Sequence, residues 1–189
     1  YFSDRFQALP KHGYTKMCEN IIQNSLITVL LNTDFIKIRT GIPSDKIIIY
    51  TGPIDGYFNN SGLPKLEYRS LRFEKEVIEN INGYFQQNSV INYPEQCVGF
   101  TRIVEYKHFL NQKSPHTVIV REYSSNDGEP YYPVPNENNQ SIYELYKTLS
   151  ENEHNVHFLG RLATYKYFNM DQAIGAALKY FQDNFIPRT

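Results

Sequence analysis

The chain has 189 residues, enough for one domain or two small ones with a real core. Hydrophobic residues at 41% against 21% charged exclude a disordered chain, and 19 basic against 20 acidic residues exclude a nucleic-acid-binding surface spread over the whole molecule. No apolar run approaches the roughly 20 residues of a membrane-crossing helix. No secretory leader is read at the start, and Cys18 and Cys97 suit a reducing cytoplasm. The chain opens on Tyr1-Phe2-Ser3-Asp4 rather than Met, so it reads as a piece of something longer.

In chain order, Tyr14, Met17, Cys18, Ile21 and Ile22 recur at helical spacing and predict a helix over roughly 14–24. Leu26–Leu31 reads as a strand, Phe35–Ile38 as a possible second, and Lys46–Thr51 as a short apolar strand ended by Gly52-Pro53. Runs of this kind suit strands covered on both faces, as in a parallel sheet. The middle alternates instead. Glu67–Phe73, Ser89–Tyr93, Phe100–Tyr106 and Thr117–Tyr123 have the period of antiparallel strands with one wet face. Ser141-Ile142-Tyr143-Glu144 reads as a capping box for a helix burying Ile142, Leu145, Tyr146 and Leu149. Val156–Leu159 reads as a strand running into Gly160. A last helix starts at the N-cap Asn169, with the stripe Met170, Ile174, Ala177, Leu178, Phe181 and Phe185. The expected fold class is therefore mixed α+β and α/β. Three regions follow: 1–55 and 151–189 of one layer type, with an antiparallel block over 56–150 between them.

Several segments concentrate groups that could carry chemistry. Pro130-Tyr131-Tyr132-Pro133-Val134-Pro135 holds two tyrosines on a stiff, extended backbone, which also suits a rigid loop packing on the core. Gly160-Arg161 follows a strand and leads through Tyr165-Lys166-Tyr167 to a helix start. A Gly permits close backbone approach, an Arg offers a fork of donors, and a helix start offers free N–H groups, yet a bland strand-loop-helix junction fits as well. Arg69 and Arg102 sit inside candidate strands and could clamp a diphosphate or form structural ion pairs with Glu67 or Glu105. The five histidines are scattered and none sits in an H-E-x-x-H pattern, so no metal site is expected.

Taken together, the segments resemble one family, the UDP-galactopyranose mutases of bacterial type. The matching stretches run in family order: Tyr1-Phe2-Ser3-Asp4-Arg5-Phe6-Gln7; Tyr50-Thr51-Gly52-Pro53-Ile54-Asp55; Leu66-Glu67-Tyr68-Arg69-Ser70-Leu71; Val90-Ile91-Asn92-Tyr93; Thr101-Arg102-Ile103-Val104-Glu105; Glu129-Pro130-Tyr131-Tyr132-Pro133-Val134; and Gly160-Arg161-Leu162 through Tyr167 to Met170-Asp171. The resemblance implies an antiparallel substrate-binding sheet plus part of a Rossmann-like FAD domain. It implies an isomerase that interconverts UDP-galactopyranose and UDP-galactofuranose, using the N5 of reduced FAD as nucleophile. Arg102 matches the essential arginine at the substrate diphosphate, and Tyr1, Tyr132 and Tyr167 match diphosphate-binding tyrosines. Asn92 matches a residue near sugar and flavin. Arg69, Arg161, Gly160 and Met170 match positions near FAD.

Two positions depart from the family pattern: Asn169 stands in place of Asp, and Leu159 in place of a Gly. No G-x-G-x-x-G and no Trp occur, so the resemblance covers the C-terminal half of the enzyme. The fragment by itself is expected to be inactive, to bind little FAD, and to self-associate through apolar edges that lack their neighbours. The competing expectations are a stand-alone, non-catalytic nucleotide-sugar-binding module and a fragment of an amine-oxidase-like flavoprotein.

Overall fold

The computed structural model describes residues 3–110 and 112–187. Its helices are α1 (Gly13–Ile22), α2 (Phe35–Ile38), α3 (Ile54–Tyr57), α4 (Glu137–Ser150), α5 (Gly160–Ala163) and α6 (Met170–Phe185). Its strands are β1 (Ile48–Tyr50), β2 (Tyr68–Ile78), β3 (Val90–Asn92), β4 (Arg102–Glu105), β5 (Thr117–Ser125), β6 (Tyr132–Pro133) and β7 (Val156–Phe158). The hydrogen-bonded order is β3-β4-β5-β2-β6 in one sheet, while β1 and β7 form a separate parallel pair. The class is thus mixed α+β, with the alternating segments antiparallel and the continuous apolar runs at 46–51 and 156–159 parallel.

The chain clusters into two compact units. One combines the residues up to Thr33 with Arg72–Ser124; the other combines Asp34–Leu71 with the residues from Ser125 on.

In the first unit, β3, β4 and β5 pair antiparallel, with Val90 opposite Val104 and Val104 opposite Val120. Ile103, Val104, Ile119 and Val120 are buried. Glu105 is buried too, at 0% exposure, and acts as an internal anchor. It accepts hydrogen bonds from Phe85 N and Gln86 N, each at 3.0 Å, and from the Thr117 hydroxyl at 2.7 Å, so one carboxylate ties the loop before β3 to β5. Burial opposes its charge. Those three donors, with His108 beside it, outweigh burial and hold its pKa below the ordinary carboxylate value.

The second unit builds its core from aromatic rings. Ile54, Leu66, Tyr146 and Tyr165 form one buried cluster, and Tyr50, Tyr57 and Ala163 another, with Phe58 and Phe158 packed against both. Each buried phenol finds an acceptor, as a buried hydroxyl must. Tyr50 donates to Pro53 O, Tyr57 to Glu153, Tyr146 to Pro64 O and Tyr165 to Glu67 O. Burial and the neighbouring Asp55 raise the pKa of Tyr68, whose hydroxyl donates to that carboxylate at 3.1 Å.

Four expectations are corrected. Leu26–Leu31 forms no strand; it is an irregular, exposed stretch, because among the described residues no neighbouring strand offers it a ladder. Phe35–Ile38 is helical, since Asp34 accepts a hydrogen bond from Ile36 N and caps a turn. The α4 helix begins one turn earlier than the Ser141 box: Asn136 is the N-cap, accepting from Asn139 N at 2.7 Å, and Ser141 instead donates to Glu137 O within the helix. Leu145 is exposed, so the buried face of α4 runs through Asn139, Ile142, Tyr146 and Leu149. The last helix starts as expected, with Gln172 reaching back to Asn169 N at 2.8 Å.

Candidate functional site

The residues singled out by sequence fall into two groups, one in each unit. Tyr1 lies outside the described residues.

In the first unit, Asn92 stands opposite Arg102, and Arg102 opposite Glu122. Directly paired residues share a face, so these three side chains form a row across β3, β4 and β5. The Arg102 Nε lies 3.4 Å from Glu122 Oε2, with the arginine side chain 46% exposed and the glutamate 14%. The strand end carrying Glu122 is clamped: Thr101 donates to the Glu122 carbonyl from its N–H at 2.8 Å and from its hydroxyl at 3.0 Å. Arg102 therefore meets Glu122, not Glu105, and a face of its guanidinium stays open to an anion from solvent.

Glu122 was not singled out by sequence. Its signal was the alternation in Arg121-Glu122-Tyr123, which puts it on the opposite face from Arg121. Arg121 in turn pairs with Glu76 at 2.6 Å, and Tyr123 donates to Glu74 at 2.9 Å.

In the second unit the stiff Pro130–Pro135 segment contributes β6, a two-residue edge strand paired with the start of β2, with Arg69 opposite Tyr132. An edge strand tolerates the missing N–H of Pro133. The Tyr132 and Tyr167 rings stack at 5.8 Å and 13°. The Arg161 guanidinium lies 5.2 Å from the Tyr132 ring centre and 4.7 Å from that of Tyr167. Its Nη1 donates to Tyr131 O at 3.1 Å and its Nε to Phe168 O at 3.1 Å, with Nη2 also on Phe168 O. A single side chain thus ties the loop after α5 to β6 and sets the two phenol rings parallel.

Arg69 hydrogen-bonds Asn126 Oδ1 rather than Glu67. Gly160 follows β7 with φ +85, a conformation that favours glycine, and opens α5. Met170 is exposed at the first turn of α6. Tyr167 is 60% exposed. A cleft of about 920 Å³ in this unit is lined by Asp55, Lys65, Glu67, Arg69, Asn126 and Asp127 among others; among the described residues, Arg69 alone of the predicted site residues lines it. Among the described residues no cluster of three or more His, Cys, Asp or Glu could hold a metal ion.

The sequence profile of the family described as UDP-galactopyranose mutase matches residues 1–167. The chain belongs to the UDP-galactopyranose mutase family. A protein of Klebsiella pneumoniae named probable UDP-galactopyranose mutase is 37% identical over 95% of this chain and 46% of its own length. A UDP-galactopyranose mutase of Mycoplasma genitalium is 36% identical over 96% of this chain and 48% of its own length. A dTDP-fucopyranose mutase of Escherichia coli is 33% identical over 97% of this chain and 51% of its own length. The chain thus spans about half the length of the curated relatives it matches, and the matched part is their C-terminal portion.

Proposed function

We propose that this chain is the C-terminal half of a flavin-dependent isomerase that interconverts UDP-galactopyranose and UDP-galactofuranose. The observation that carries the proposal is the pairing of family membership with two sets of side chains suited to a diphosphate. Arg102, oriented by Glu122 and flanked by Asn92, presents a half-exposed guanidinium, and Tyr132 and Tyr167 present parallel phenols ordered by Arg161. Arg102 supplies full charge to the diphosphate. Phenol hydroxyls supply hydrogen bonds without a full ion pair, orienting a leaving group without trapping it. Tyr1 belongs with these tyrosines by family match, and the whole set would act in the cytoplasm.

The fit to FAD rests on the parallel pair. β1 runs into Thr51-Gly52 and β7 into Leu159-Gly160, so both carboxyl ends lead into a glycine. The crevice outside the carboxyl ends of parallel strands is where open α/β sheets hold ligands. Gly160, Arg161, Arg69 and Met170 would border the cofactor there, as one edge of a Rossmann-like flavin domain. When bound, reduced FAD would supply the nucleophile for the anomeric carbon. By family match, Arg102 and Asn92 of the first unit and the phenols ordered by Arg161 in the second each offer groups that suit a sugar nucleotide.

Relatives named for a UDP-galactose and for a dTDP-fucose substrate match this chain over nearly its full length. That supports assigning these residues to the diphosphate and sugar ring, with base recognition elsewhere.

The test is the protein joined to, or co-expressed with, the remaining half of the family fold, assayed for UDP-galactofuranose to UDP-galactopyranose conversion under reducing conditions. Arg102→Ala is expected to abolish turnover, and this chain alone is expected to show none. Undiminished isomerisation by Arg102→Ala would overturn the assignment. Appreciable UDP affinity of the chain alone would favour the non-catalytic binding module.

A further inference from the structure

One short segment of the first unit carries a chemistry that the sugar-nucleotide reading does not use. Residues 79–89 connect β2 to β3, and within them lies Asn82-Gly83, the chain's single Asn-Gly pair. In such a pair the backbone nitrogen of the glycine can close a five-membered ring on the asparagine side-chain carbonyl. Both reacting groups belong to one chain, so the attack is intramolecular and recruits no partner. Glycine adds no Cβ to crowd the ring and leaves the backbone free to reach it.

The structure leaves this pair open. Asn82 and Gly83 are both exposed and lie in a bend. Gly83 has φ +116, and nothing stands within 4 Å of where a Cβ would sit. Among the described residues, neither the Asn82 side chain nor the Gly83 N–H has a hydrogen-bond partner. Comparable pairs elsewhere are held. Ser61 N donates to Phe58 O at 2.9 Å, which occupies the nucleophile that follows Asn60. Asn24 Oδ1 accepts from Leu26 N at 2.9 Å. After Asp55, Gly56 N donates to Pro53 O at 3.0 Å. Asp127-Gly128 carries a carboxylate, whose ionised oxygen is a poor leaving group.

Directly after the pair, the chain is fixed at each residue in turn. Gly83 O accepts from the buried Lys107 Nζ at 2.6 Å. The Tyr84 ring stacks on His108 at 3.9 Å and 15°. Phe85 N and Gln86 N both donate to the buried Glu105. On the other side of the pair, Asn80 N donates to His116 Nδ1 at 3.3 Å. Ile81 and Asn82 therefore bridge two anchored points. The anchored strap 83–86 then leads to Ser89, whose carbonyl accepts from Glu105 N at 2.8 Å, and into β3.

We propose that Asn82-Gly83 is a site of spontaneous modification, and that its isoaspartyl product releases the strap 83–86 from Glu105 and Lys107. Gly83 N bonds to Asn82 Cγ and gives up its proton, and the side-chain nitrogen leaves with that proton as ammonia. One water then opens the cyclic imide. Opening at Cγ leaves aspartate. Opening at the main-chain carbonyl leaves isoaspartate, in which the backbone runs through Cβ and Cγ. Either product adds a negative charge. Isoaspartate also lengthens the main chain by one carbon between the anchors at Asn80 and Gly83. The extra atom enters directly before Gly83, so the carbonyl that holds Lys107 is the first group to shift. The inference does not depend on the function proposed above.

The test is incubation of this chain at mildly alkaline pH and body temperature, followed by peptide mapping with mass spectrometry against the fresh chain. Asn82 is expected to convert to the acid at least about 10-fold faster than Asn24 or Asn60. An isoaspartyl carboxyl methyltransferase supplied with labelled S-adenosylmethionine should label the incubated parent and leave incubated Asn82→Gln unlabelled at this peptide. In the converted fraction, amide hydrogen exchange at Phe85 and Gln86 should speed up by at least about 10-fold. Freshly prepared Asn82→Asp adds the charge on an unaltered backbone and should exchange like the fresh parent. Conversion at Asn82 no faster than at Asn24 and Asn60, conversion without methyl label, or unchanged exchange at Phe85 and Gln86 in converted protein would each overturn the proposal. Equal loosening in fresh Asn82→Asp would overturn it as well, because charge and not the rerouted backbone would then release the strap.

Discussion

Arg161→Lys tests whether one guanidinium organises the tyrosine pair. The arginine holds two backbone carbonyls, Tyr131 O and Phe168 O, through separate nitrogens and lies within 5.2 Å of both ring centres. A lysine ammonium keeps the charge but reaches only one carbonyl well. Losing a charge-assisted hydrogen bond costs about 1.5–3 kcal/mol, and the weaker ring contacts add about 0.5–1 kcal/mol. Partial exposure trims the sum, so a destabilisation of about 2 kcal/mol is expected. For a chain of this size that lowers the melting temperature by roughly 4–8 °C. With no Trp present, the assay is urea unfolding followed by tyrosine fluorescence, with near-ultraviolet circular dichroism reporting ring order. Tyr167→Phe is the control: it keeps the ring stack and should leave stability within about 0.5 kcal/mol of the parent. An Arg161→Lys protein as stable as the parent, with unchanged near-ultraviolet dichroism, would refute the claim that the guanidinium sets the rings.

Glu105→Gln should cost about 2–4 kcal/mol, because a buried amide cannot accept from Phe85 N, Gln86 N and Thr117 together. Since the folded pKa of Glu105 lies below its ordinary 4.5, its contribution is present above that value and lost as pH falls through the folded pKa; urea midpoints on acidification should drop for the parent and less for the variant. Tyr57 behaves in the opposite sense: burial, then its hydrogen bond to Glu153, push its pKa from 10.0 up to about 12. Its contribution is complete below pH 10.0 and lost as the pH rises to about 12, amounting to up to about 3 kcal/mol, and Tyr57→Phe should flatten that alkaline loss. Asn136→Ala should cost about 1 kcal/mol as loss of an N-cap, whereas Ser141→Ala should be nearly neutral, in thermal melts of the two variants.

Which parts of this structure could be read from sequence follows from where each residue finds its partners. The antiparallel strands were legible because alternation is a property of the segment itself: Ile103 and Val104 go to opposite faces whatever lies nearby, and both are covered here. The α6 start was legible because Asn169 and Gln172 satisfy each other three residues apart. The stacked geometry of Tyr132, Tyr167 and Arg161 was not, since β6 and the turn before α6 meet only through tertiary contact; local sequence left packing open beside binding for both segments. Ser141 misled because Ser-x-x-Glu matches a cap wherever it occurs, while the backbone conformation that makes a cap was set at Asn136, in the extended region with φ −133 and ψ 165.

Leu26–Leu31 failed for a different reason. Strand propensity expresses fit to a pleated, half-buried surface, and among the described residues no second strand offers this segment one. The unpaired run at 26–31, the exposed stripe of α6 and the two-stranded parallel sheet then show the same thing at three places: apolar patterning becomes regular structure only as far as a partner surface meets it.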